Sequence, residues 1–320
     1  MRAIPLCLLS GLLALPVHAS EVQDLLGRLA EAERQQSFQG TFIYERNGSF
    51  SSHAVWHKVE DGGQVRERLL QLDGPAQEVL KVDGQTQCVS GALVDQVSEG
   101  QTWPARHLDA DQLSNWYDIR VVGQSRIADR SAVVLVLAPK DQHRYGFELH
   151  LDRETGLPLK SLLLNERGQL LERFQFTQLD VMTPEAEALQ PSSRCRPVRI
   201  RPVDNLAEGS WRSDWLPPGF TLNMAQLRHE PSSDASVAYL MYGDGLARFS
   251  VFLEPLNGRV VEDARSQLGP TVAVSRRMST EAGDVMVTVV GEIPLGTAER
   301  IALSMRAGAS ETGAPEQASQ

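Results

Sequence analysis

The sequence predicts an α+β protein of two domains: a long, curled antiparallel sheet with helices laid across its mouth, then a smaller unit of strands with one helix. Three observations predict this. Short runs of strand-forming residues recur between turn signals from residue 38 to residue 179. Within them Tyr145, Phe147, Leu149 and Leu151 alternate with Gly146, Glu148, His150 and Asp152, so one sheet face is buried and the other wet. A stretch with Pro184, Pro191, Pro197 and Pro202 but no periodicity then separates these strands from a second set.

Taken in order, Met1–Ala19 reads as a secretory signal: Arg2 is its positive end, Ile4–Leu15 its apolar run and Val17-His18-Ala19 its cleavage site. That run is shorter than the roughly 20 residues a membrane span needs. Cys7 lies too early to be a lipoprotein acylation site. Val22, Leu25, Leu26 and Leu29 then fall at helical spacing, predicting an amphipathic helix over 21–36. Strands are expected at 38–46, 50–60, 64–72, 77–82 and 85–89. In the first, Phe42, Tyr44 and Arg46 share one face and Thr41, Ile43 and Glu45 the other. Asn47-Gly48, which closes it, suits a type I′ hairpin because both residues tolerate positive φ.

Residues 92–116 break the rhythm with Trp103-Pro104 and a short helix at Ala110–Trp116. Strands at 117–126 and 131–138 and a meander over 145–179 complete a first domain, 20–182. Residues 183–210 read as the linker. The second domain, 211–307, opens on Trp215-Leu216-Pro217-Pro218-Gly219-Phe220. Its strands are expected at 219–228, 236–243, 246–254, 271–278 and 284–291, with Gly243-Asp244-Gly245 as a hairpin turn. Ala298, Ile301, Ala302 and Met305 line one face of a helix starting near Pro294. The small, polar stretch 308–320 reads as a disordered tail.

Charge excludes one class of partner. The chain of 320 residues carries 31 Lys+Arg against 41 Asp+Glu, a formal charge of −10, and no basic run, which argues against nucleic acid. After cleavage only Cys88 and Cys195 remain. In an oxidising compartment they could pair, stabilising the fold by roughly 4–5 kcal/mol in the chain-entropy view; two free thiols is the alternative.

No motif for enzymatic chemistry is present: no Gly-x-Ser-x-Gly elbow, no phosphate-binding loop, no Cys-x-x-Cys pair. His53 and His57 share a strand face but have no third ligand beside them for a metal. His143 and His150 read as satisfied surface or hairpin histidines. The carboxylate pairs fall in turns and polar edges, and Arg66-Glu67-Arg68 reads as a solvated sheet face. No cofactor is expected. An apolar site asks for less: Phe42, Tyr44, Val55, Phe147, Leu149 and Phe174 on the concave face could enclose a greasy cavity. The same side chains would equally fill an ordinary sheet–helix core.

Six blocks carry a resemblance to a known family. They are Ser37–Gly48, Arg66–Leu72, Gln142–Phe176, Trp215–Phe220, Tyr242–Pro255 and Val287–Ala302. Together they resemble the MucB/RseB family of periplasmic regulators of the envelope stress response, in its pseudomonad branch, over almost the whole mature chain. The resemblance implies a first domain similar to the LolA/LolB lipoprotein carriers, an unclosed half-barrel, and a smaller C-terminal α/β domain. It also implies a function without catalysis: binding the periplasmic part of a MucA- or RseA-like anti-sigma factor, shielding it from regulated proteolysis, and releasing it to lipid or lipopolysaccharide signals. Alginate biosynthesis would lie downstream in this branch.

In that setting the face bearing Phe42 and Tyr44 becomes the expected lipid-facing wall. Arg248, Phe249 and Phe252, with Arg300 on the last helix, are the candidate partner contacts, although Phe249 and Phe252 fall on opposite faces of one strand. Self-association is left open. A carrier of acylated proteins is the alternative function, and the second domain weighs against it.

Overall fold

The computed structural model describes residues 17–91, 109–198, 203–207, 209–229 and 236–308. The expected signal up to Pro16, the Trp103-Pro104 break and the tail from Ala309 lie outside the described residues. Helix α1 spans Val17–Gln35, four residues ahead of the expected start, because the helical pattern continues back through the alanine-bearing junction. Its Leu25, Leu26 and Leu29 are buried against the first sheet.

That sheet has eleven strands, all pairing antiparallel. In chain order they are β1 Phe38–Arg46, β2 Ser49–Val59, β3 Val65–Gln71, β4 Glu78–Val82 and β5 Gln85–Val89. After the short helix α2, Ala110–Ser114, come β6 Tyr117–Ile127, β7 Arg130–Pro139, β8 Gly146–Asp152, β9 Pro158–Leu164 and β10 Leu170–Asp180. The eleventh, β11, is Arg196–Pro197. Two meanders are joined where β1 pairs with β10, and β6 and β11 form separate edges. The sheet is therefore an unclosed half-barrel, with α1 and α2 over it. Asn47 and Gly48 take φ of 52° and 72° at the β1–β2 turn, the left-handed geometry a type I′ turn demands.

Two apolar clusters fill the concavity. One gathers the α1 leucines with Leu135, Leu137, Phe147, Leu149 and Leu163. The other gathers Ala32, Phe38, Phe42, Val55, Leu159 and Phe176.

Residues 183–198 run back over the outside of the half-barrel. A 3₁₀ turn at Ala186–Leu189 precedes β11, which pairs with β5, and Cys195 is disulfide-bonded to Cys88. Arg68 donates to Glu78 at 2.7 Å and to the Ala188 carbonyl at 2.9 Å, while the Ser192 amide and hydroxyl also reach Glu78. This corrects the reading of Arg66-Glu67-Arg68 as a solvated face. Alternation sends Glu67 to the concave side, where His57 is 3.4 Å away, and Arg68 to the convex side over Trp56.

The second sheet begins with β12, Val203–Asn205, and continues after the short strand β13, Trp211–Ser213. Its main strands are β14 Thr221–His229, β15 Ser236–Gly243 and β16 Arg248–Pro255, then β17 Ala264–Leu268, β18 Thr271–Thr280 and β19 Gly283–Gly291. The order is β12-β14-β15-β16-β19-β18-β17. Helix α3, Leu295–Ser304, begins after Pro294 and buries Ala298, Ile301 and Ala302 on one face of this sheet. Met305, expected on the helix, instead opens β20, Met305–Ala307, paired with β13. The edge strand β17 had no sequence signal, since all five of its residues are exposed and none needs an apolar alternation. Gly291 sits where any Cβ would meet Phe249, which lets β19 close on β16. Among the described residues no helix is long and apolar enough to cross a membrane.

Candidate functional site at the domain seam

Cross-strand pairing lays an aromatic floor in the half-barrel. Phe38 pairs with His57 and Phe42 with His53 across β1 and β2, each pair stacked, with centroids 4.7 and 5.1 Å apart. Phe42 also meets Phe174 and Phe176 of β10, at 4.8 and 5.9 Å. Val55 belongs to the same cluster, and Tyr44 and Phe174 pack on its margin. Phe147 and Leu149 are placed apart from these four, in the α1 cluster. The six candidate lipid-facing residues thus divide between a floor and a core. The two histidines serve the floor: His53 shares a 2.8 Å hydrogen bond with Ser51, and burial lowers its pKa.

The two sheets meet along a seam with two parts. At the first, Arg144 from the loop before β8 is fully buried against Asp244 from the β15–β16 turn. Its Nη2 also donates to the Pro218 carbonyl at 2.6 Å and to Asp141 at 3.0 Å. The Tyr117 hydroxyl donates to Asp244 at 3.2 Å, and the Leu246 and Ala247 amides donate at 2.9 and 2.7 Å. Trp116, Tyr117 and Phe220 put their rings 5.1–5.7 Å from the guanidinium. Burial pushes the Asp244 carboxyl up, and its backbone donors and Arg144 oppose that. Gly219, at φ +86°, lies flat against the Trp116 indole, leaving no room for a Cβ. His143 extends this part through Thr297 at 3.1 Å and an edge contact with Trp215. It is a satisfied histidine of the β7–β8 hairpin, and its partner lies on α3.

At the second part Arg46, ending β1, reaches across to the other sheet. It donates to Glu292 at 3.1 Å and to Thr271, while its Nε stands 3.7 Å from Glu172 of β10. The Tyr44 hydroxyl faces the same Glu172 carboxylate, where it favours the ionised form. Burial first, and the Glu292 charge second, push Glu172 up to about 7. Burial likewise raises the Tyr44 phenol, with Glu172 adding to it.

The second sheet's other face carries Met224, Met241, Ser250, Phe252 and Thr288 by strand alternation, opposite the face that packs on α3. Tyr239 on this face lies 5.1 Å from Phe252 and under the Arg228 guanidinium. The four partner candidates separate accordingly. Arg248 and Phe252 are on this face. Phe249 is 1% exposed between Tyr242 and Phe220, so it serves the core and offers nothing to a partner. Arg300 is on α3, over the Trp215 ring at 3.8 Å.

Sequence reading missed Arg144, Asp244, Glu172 and Glu292. Asp244 falls in a predicted turn, where solvated charge is ordinary, and Glu172 and Glu292 carry no motif. An arginine in a turn before an apolar strand and an aspartate between two glycines look the same whether or not another domain covers them.

The fold and the seam define a two-domain protein with an aromatic half-barrel and a sheet open on one face, built around apolar and charged contact surfaces. Comparison places it. The MucB/RseB N-terminal domain family matches residues 21–206 and the MucB/RseB C-terminal domain family residues 205–306. The sigma factor AlgU regulatory protein MucB of Pseudomonas aeruginosa is 62% identical over 309 residues, 96% of this chain and 98% of that protein. The sigma-E factor regulatory protein RseB of Escherichia coli K12 is 29% identical, over 90% and 91% of the two chains. The solved complex of Pseudomonas aeruginosa MucA and MucB superposes with a TM-score of 0.79 at 63% identity, covering 91% of this chain and 100% of that one. The chain belongs to the MucB/RseB family.

Proposed function

We propose that this protein is a periplasmic negative regulator of an envelope-stress sigma factor. It binds the periplasmic part of a MucA-like anti-sigma factor, shields that segment from regulated proteolysis, and so keeps the sigma factor sequestered. It acts by binding and not by catalysis. The observation that carries the reading is the likeness, over both domains, to a MucB solved together with MucA. The uncovered face of the second sheet supports it, offering Phe252, Met224 and Met241 beside Arg248 to a segment with apolar and acidic side chains. A periplasmic location is supported by the signal-like Met1–Ala19 and by bonded cysteines that need an oxidising compartment.

Release by a lipid or lipopolysaccharide amphiphile completes the reading. The floor of Phe42, Phe174 and Phe176 supports it, since each acyl methylene buried there contributes about 0.8 kcal/mol. Release requires that lipid bind the peptide-free arrangement better. The test is co-purification of the mature chain with the periplasmic part of its anti-sigma factor, then protease challenge. A stable complex with slowed cleavage is expected; no complex, or unslowed cleavage, overturns the reading. Peptide affinity measured with and without a lipid A-like amphiphile tests the release step, which unchanged affinity would sink.

A further inference from the structure

The Arg46 side of the seam is short of one hydrogen bond. Two carboxylates from different domains, Glu172 and Glu292, share the single Arg46 guanidinium. Glu292 has the hydrogen bond. Glu172 Oε2 and Arg46 Nε face each other at 3.7 Å, each buried and without a hydrogen bond. The surrounding groups do not supply that bond. On β1, Tyr44 supplies one hydroxyl to Glu172. From the second sheet come Thr271, which accepts from Arg46, and Arg248, whose charge is directed to Glu292. Tyr145, ahead of β8, is neutral, and the charges of Glu166 and Glu292 help burial raise it to about 12. Glu45 and Arg173 pair with each other at 3.4 Å, one residue along β1 and β10 and so on the opposite sheet face.

The Arg144 side, by contrast, gives every guanidinium nitrogen a hydrogen-bond partner. It can serve as a pivot while the Arg46 side opens. We propose that Arg46, Glu172 and Glu292 form a proton-operated latch: with Glu172 protonated the domains close over the cluster, and loss of that proton lets this side of the seam open about the Arg144–Asp244 contact. Opening would uncover the corner of the second sheet at Thr271 and Glu292.

The direction of the pH effect follows from linkage. Closed, Glu172 holds its proton to about pH 7 against an ordinary value of 4.5, so closure binds a proton and is favoured in acid. The closed-to-open ratio falls as pH rises between those values and levels off above about 7. From pH 5 to pH 8 the fall is at most about seventy-fold.

Spin labels at the exposed positions Arg167 and Ser266, on the two sides of the latch, test this in the disulfide-intact mature chain. A single short-distance population at pH 5 that gains a longer one by pH 8 is expected. Glu172→Gln, which keeps the shape and removes the charge, should hold the short distance throughout. A distance distribution that does not change from pH 5 to pH 9 overturns the latch. So does a Glu172→Gln protein that opens as the parent does, since another group would then be titrating. Circular dichroism of the labelled variants confirms that each is folded.

Discussion

The two halves of the domain seam use the same chemistry and reach opposite results. At both, one arginine crosses from the half-barrel to carboxylate on the second sheet. Arg144 meets a carboxylate that also accepts from two backbone amides and a tyrosine, and its remaining donors find Asp141 and Pro218. Arg46 likewise meets two carboxylates but leaves one pair of atoms unbonded. A buried charge pair is tolerable only when every lone pair and proton around it is satisfied. The first half meets that condition and fixes how the domains sit. The second does not, and so responds to a proton.

The largest way to break the contrast is at the satisfied half. Asp244→Ala leaves Arg144 buried without its charge partner and should cost about 3–5 kcal/mol, read by chemical denaturation at pH 7. Asp244→Asn keeps the shape and one acceptor oxygen, enough for the Leu246 and Ala247 amides, and should cost less. Gly219→Ala comes next. It forces a Cβ into the Trp116 indole at a positive φ, for about 1–3 kcal/mol. A quenching or spectral shift of tryptophan fluorescence should accompany the loss, because the indole must move. If Gly219→Ala left both stability and fluorescence unchanged, the packing assigned to this half would be wrong.

Much of the fold was legible in the sequence. Strand alternation and turn residues gave β1 to β10 within a residue or two, because a half-buried sheet must alternate and a hairpin must turn on Gly, Asn or Asp. The pieces that escaped have a physical reason. The edge strand β17 buries nothing, and β11 and β12 are two and three residues long, too short for any period to show. The floor was half legible: Phe42, Tyr44, Val55 and Phe174 do gather, while Phe147 and Leu149, with the same alternation, answer to α1 instead. The seam was not legible at all. Its members are scattered from Tyr44 to Thr297 in the chain, and their meaning depends on how the second domain sits against the first, which no local pattern announces. Arg68 reads as solvated for the same reason.

Smaller changes sharpen the unsatisfied half. Arg46→Met removes the only guanidinium that both acids share, so Glu172 should keep its proton to a higher pH than the parent's value of about 7. The variant should lose little stability at pH 5 and about 1 kcal/mol by pH 8, as the two carboxylates ionise unopposed. Carbon-13 NMR of the side-chain carboxyls gives the midpoint directly. A midpoint that stayed put would mean Arg46 does not face Glu172 in solution.

The smallest change separates the floor from the seam at a residue that belongs to both. Tyr44 packs its ring on the Phe42 cluster and points its hydroxyl at Glu172. Tyr44→Phe keeps the ring and removes only the donor. That donor favours the ionised carboxylate, so its loss should move the Glu172 midpoint upward by a few tenths of a pH unit and change stability by about 1 kcal/mol or less. The aromatic floor should be untouched, and any amphiphile it holds should bind as before. Phe42→Ala is the mirror experiment: it opens the floor, costs about 3–5 kcal/mol of packing, and should leave the Glu172 titration where it was. If Tyr44→Phe weakened amphiphile binding while Glu172 failed to shift, the hydroxyl would be working for the floor, and the two regions would not be the separate devices their geometry describes.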